Sequence, residues 1–153
     1  MREYIIQTLM GAIGSVGFAL TFHIRGKQLI LIFLGGALDW AVYLLCTHYG
    51  CSSFLGVFLA TMTANIISEI LARIVHTPVL ILLVPMLVPL IPGGALYRSM
   101  DALIRGEQDL FLTHGTSAIT FAGAIALGII ATTALFHIIF SFVEHLRKPK
   151  AIP

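Results

Sequence analysis

Charged side chains are scarce in this chain, with Asp, Glu, Lys and Arg together making up only 10% of its 153 residues. Soluble domains carry about 25%, so an ordinary water-facing surface is excluded. The formal net charge of +2 is small, and no basic patch is interleaved with aromatic residues, so nucleic acid is not an expected partner. Cysteine is nearly absent. Cys46 and Cys51 are the only two, which rules out a disulfide framework; they can bridge across the turn at 47–50 in an oxidising compartment or stand as free apolar thiols. The histidines are scattered singly, without metal-ligand spacing. A nucleophile with its base, a phosphate-cradling glycine loop and a dinucleotide fingerprint are all missing as well. No metal site, cofactor or catalytic set is expected, and the chain does not read as an enzyme.

What the sequence has in abundance is apolar length. It is 58% hydrophobic, with a mean hydropathy of +0.99, and most of its long apolar runs lack the polar face that a soluble core helix needs. The expected fold is an all-α polytopic membrane protein forming one transmembrane domain over 1–153. Taking about 20 apolar residues per crossing, the polar breaks delimit five spans at 4–22, 28–47, 53–72, 78–100 and 116–143. The first run is followed by further spans rather than by a polar mature domain, so it reads as a retained span and not as a cleaved signal. Basic breaks at His23-Ile-Arg25-Gly26-Lys27 and Arg73-Ile-Val-His76, with a basic tail at 147–150, alternate with turns that are uncharged or mixed in sign. The positive-inside rule then expects the N-terminus outside and the C-terminus in the cytoplasm.

The fourth span is interrupted. Pro85, Pro89 and Pro92 each lack an N–H, so a continuous helix would leave the carbonyls of Ile81, Pro85 and Val88 without partners. In hydrocarbon, an orphan carbonyl costs several kcal/mol unless protein or a wet cavity supplies a donor. Thr77 reads as the N-cap of this span with Pro78 at the first helical position. From there to Pro92 is too short to cross, so two half-helices are expected around a Gly93-Gly94 joint, the second beginning near Ala95. Broken membrane helices mark transporter binding sites, although a packing kink gives the same pattern.

Asp39 falls mid-span, where an unpaired carboxylate costs about 3 kcal/mol and must be protonated, paired or hydrated. It is a candidate proton carrier; a helix-to-helix hydrogen bond or an exposed cavity wall is the alternative. Asn65 is deep enough in the third span to line a path or bridge helices. Glu69 is a second coupling candidate, though Arg73 four residues on makes a boundary ion pair the simpler reading. Past the joint, a half-helix N-terminus with Tyr97 and Arg98 could receive a carboxylate, unless Arg98 pairs with Asp101 instead. Small residues at four-residue spacing, Gly11, Ser15 and Ala19 in the first span and Ala124, Gly128 and Thr132 in the last, suit close helix packing.

Three segments together carry a family resemblance: Gly14-Ser-Val-Gly17-Phe-Ala, Gly35-Gly36, and above all Pro85-Met-Leu-Val-Pro89-Leu-Ile-Pro92-Gly93-Gly94-Ala-Leu-Tyr97. They resemble the threonine/serine exporter family, specifically its smaller membrane module in the form of a separate subunit. That resemblance implies Pro89, Pro92, Gly93 and Tyr97 as motif positions. It also implies a bacterial inner-membrane exporter of small carboxylate metabolites, either threonine/serine-type amino acids or a dicarboxylate such as succinate, assembled with a larger family partner or with copies of itself. A non-transporting subunit that only packs against such a partner is the competing expectation.

Overall fold

A computed structural model describes residues 2–147; most of the basic tail at 147–150 lies outside the described residues. The described residues form helices α1 (Arg2–Thr21), α2 (Lys27–His48), α3 (Ser53–Val75), α4 (Val79–Met86), α5 (Gly93–Arg105) and α6 (Gln108–Arg147), with a 3-10 turn at Val88–Leu90 between α4 and α5. Four helices, α1, α2, α3 and α6, are each long and apolar enough to cross a membrane, and the pair α4–α5 qualifies together with a bend of 41°. The described residues therefore hold four helices able to cross a membrane, or five if the bent pair makes one crossing.

Local chemistry sets the ends of the helices. Ser52 caps α3 by accepting the Leu55 N–H at 3.3 Å, and His76 closes the same helix in the left-handed region with φ 55°. The expected cap at Thr77 does not form. Pro78 itself occupies the cap position, with ψ 137° and no side-chain cap, so α4 starts one residue later. The Thr77 hydroxyl instead accepts from Gln28 Nε2 at 3.3 Å, tying the start of α4 to the start of α2. The last span also begins earlier than expected. A helix of 40 residues is about 60 Å long, roughly twice the hydrocarbon thickness. Its first turns pair with α5, where Ser99 Oγ donates to the Phe111 carbonyl at 3.1 Å.

Close approaches fix the register of the bundle. A Cβ at Gly36 would collide with Ser15 Oγ and stand 2.8 Å from Ser15 Cβ, so α1 and α2 touch through small residues, as the first-span stripe predicts. Gly56 of α3 packs on Tyr43 and Cys46 of α2. Against α6, Thr61 meets Gly128, Asn65 reaches Ile129 and Thr133, and Arg73 lies over Phe140. Residue numbers rise together on both helices, so α3 and α6 run parallel. Ile32, Val57, Leu82, Met86 and Leu90 are fully buried at the centre. Cys46 and Cys51 are both free thiols.

Candidate functional site

The break in the fourth span lies at Leu87–Pro92, ahead of the glycines. The α-helical ladder ends where the Leu87 N–H reaches Leu83 O at 3.1 Å, and a tighter turn follows with Leu90 N–H to Leu87 O at 2.9 Å and Ile91 N–H to Val88 O at 3.2 Å. The Leu87 N–H also leans on Pro85 O. Of the three carbonyls expected to stand bare, that of Val88 accepts a hydrogen bond within the break itself and that of Pro85 meets only the leaning Leu87 N–H, which narrows the expectation that this stretch offers a row of free oxygens. Pro92, at φ −77° and ψ 47°, makes an inverse γ-turn closed by Gly93 N–H to Ile91 O at 2.7 Å.

Gly93 and Gly94 are the first two residues of α5, so they are not the expected hinge, and the second half-helix starts before Ala95. Both have helical backbone; a Cβ at Gly93 would meet nothing within 4 Å, and one at Gly94 only Arg98 Nη2 at 3.8 Å. Alanine at either position should therefore raise stability by about 0.5–1 kcal/mol. Unfolding of the solubilised chain measures this, and a loss of stability would restore the hinge.

Asp39 is fully buried. Neither of its carboxyl oxygens has a hydrogen-bond partner among the described residues, and the neighbouring Trp40 Nε1 lacks one too. The helix-to-helix hydrogen bond proposed as its alternative role is therefore not made. One turn earlier on the same face, Gly35 and Gly36 pack against Met86 of α4 and Ser15 of α1, and a Cβ at Gly11 would lie 3.4 Å from Pro89 and 3.5 Å from Trp40. This register places Asp39 beside the proline break, where α1, α2 and the 3-10 turn meet. A charge buried without a partner costs several kcal/mol, so this carboxyl must hold a proton or meet a cation from elsewhere.

The other candidates separate into two places. Asn65 is buried and bridges helices, donating through Nδ2 to Ile129 O at 3.2 Å and to Thr133 Oγ1 at 3.3 Å. Glu69 accepts from Arg73 Nη2 at 2.9 Å, the ion pair expected from their spacing. Tyr97 and Arg98 lie elsewhere, on the exposed surface of α5, with Tyr97 74% accessible. Asp101 pairs with Arg105 at 3.1 Å rather than with Arg98. Sequence reasoning passed over Thr133, His137 and Ser141, which line a groove with Glu69 and Arg73. Their i, i+4, i+8 spacing was the available signal, obscured because each polar residue stands alone in an apolar run.

A family model for the threonine/serine exporter, ThrE, matches residues 7–135. The chain belongs to the threonine/serine exporter family. The matched stretch includes Asp39, the proline break, Asn65, Glu69, Tyr97 and Arg98, and ends before His137 and Ser141. Threonine/serine exporters are membrane transporters and not an enzyme family, and a multi-pass protein in lipid with a transported solute follows from membership. No curated protein and no solved structure matches the chain.

Proposed function

We propose that this chain is a membrane subunit of a secondary exporter that moves small carboxylate metabolites, of the threonine and serine type or a dicarboxylate such as succinate, with Asp39 as the proton-coupling group. The observation that carries this reading is the burial of Asp39 with both oxygens unpartnered, beside a broken membrane helix. An acid held without a permanent counter-charge can exchange a proton as its surroundings alternate between wet and dry.

The start of α5 supports the same reading. Arg98 folds back so that Nη2 lies 3.8 Å from where a Gly94 Cβ would stand, placing its charge over a helix N-terminus that is already positive. An arriving carboxylate relieves that repulsion. Tyr97 and Arg98 face outward, so a larger family subunit or a second copy of the chain is needed to close the other side of the path. Arg25 precedes α2 and Lys27 begins it, and Arg73 lies in the last turn of α3; these basic ends belong on the cytoplasmic side of a bacterial inner membrane, with the N-terminus outside.

Metabolite profiling of medium from cells with and without the gene tests the assignment. A gene-dependent rise in an extracellular amino acid or dicarboxylate is expected. Identical profiles, with the protein present in the membrane, would reduce the chain to a packing subunit.

A further inference from the structure

The parallel register of α3 and α6 sets two polar stripes face to face. Asn65, Glu69 and Arg73 recur every four residues on α3, and Thr133, His137 and Ser141 do the same on α6. Beyond the Asn65–Thr133 bridge an open groove of about 380 Å³ lies between the helices, with Phe136 and Phe140 on its α6 side and Thr133, His137, Phe140 and Ser141 exposed. That volume falls within the range of small-molecule pockets. The Glu69 side chain is 13% accessible and that of Arg73 47%, so the carboxylate lies inside and the guanidinium at the mouth.

We infer that this groove is a binding site for a small zwitterionic amino acid, which inserts its ammonium and carboxylate between Glu69 and Arg73. The inference rests on the exporter reading and adds to it the place where the solute binds. Arg73 uses one N–H on Glu69 among the described residues, and its guanidinium carbon lies 3.9 Å from the Phe140 ring centre and 5.3 Å from that of Phe136. Stacking fixes the plane of the fork and leaves its other donors for a carboxylate. Glu69 then turns to the ammonium. Thr133 Oγ1 accepts from Asn65, so its own O–H can donate; together with Ser141 and His137 it offers partners to a side-chain hydroxyl of the solute.

Charge counting selects the class. With histidine taken as neutral, the described charges facing the groove are Glu69 and Arg73, which sum to zero, and a zwitterion keeps the sum at zero. A dicarboxylate would bring two negative charges to a groove that already holds a carboxylate, and one cation cannot meet all three.

Equilibrium binding of radiolabelled L-threonine and succinate to the full chain in nanodiscs, together with its partner subunit if the two co-purify, tests this. Wild type should prefer L-threonine. Glu69→Gln, which keeps shape and leaves the groove cationic, should lose at least tenfold in L-threonine affinity and gain at least tenfold for succinate, while Glu69→Asp keeps the wild-type preference and guards against a folding artefact. An unchanged preference in Glu69→Gln overturns the assignment. So does a wild type that binds neither solute but carries anionic phospholipid that is lost in Arg73→Ala, which would make the groove a lipid phosphate site. If gene-dependent export persists through either result, only this site assignment falls; if export never depends on the gene, the exporter reading itself falls.

Discussion

Asp39→Asn is expected to reduce coupled export by at least about a hundredfold, the low end of what a positioned proton-transfer group contributes, while the helical bundle stays at least as stable as wild type. The two effects point in opposite directions for one reason. An amide has nearly the shape of the carboxyl group but cannot take up and release a proton, so the transport cycle loses its coupling step. It also carries no charge to desolvate, and the carboxyl it replaces makes no hydrogen bond that would be lost. Parallel loss of export and of folded protein would instead mark Asp39 as a packing residue. Export assays normalised to membrane abundance, with unfolding curves on the solubilised protein, separate the two.

Gly128→Leu should have the largest effect on stability, a loss of about 3 kcal/mol, at the upper end for overpacking a tight interface. A Cβ there would stand 2.9 Å from both Cβ and Cγ2 of Thr61 and 3.1 Å from the Phe58 carbonyl oxygen. Thr61 is β-branched and stiff at χ1, and the carbonyl belongs to the α3 backbone, so neither can yield without parting the helices. The Asn65 bridge to Ile129 and Thr133 lies one turn further and would be strained with them. Gly123 is the control: a Cβ there meets nothing within 4 Å, so Gly123→Ala should gain about 0.5–1 kcal/mol from helix propensity. Comparable losses at both positions would mean that α3 and α6 do not pack as described.

Much of this architecture was legible in the sequence because apolar runs near bilayer length have few other uses. The long apolar helices, the proline break, the Glu69–Arg73 pair and the small-residue stripes all follow from spacing. The details of the break were not legible. Three prolines show that a helix must fail, but whether the freed carbonyls stay bare depends on the turn adopted, and a 3-10 turn engages that of Val88. The glycines after Pro92 were read as a hinge because glycine permits one, yet they simply begin α5. The start of α6 was missed because 108–115 is polar enough to resemble a loop; its pairing with α5 through Ser99 makes it helical. The facing of α3 and α6 was out of reach, since parallel packing between residues 64 to 68 positions apart leaves no local mark, and the groove at Glu69 depends on it.

Proton movement during solute flux in proteoliposomes tests the central claim most directly. With the chain reconstituted in its natural assembly, an imposed pH gradient should drive L-threonine or succinate across the membrane, with protons moving the opposite way, and Asp39→Asn should abolish both fluxes. Solute flux that is indifferent to the gradient and unaltered in Asp39→Asn would contradict the account.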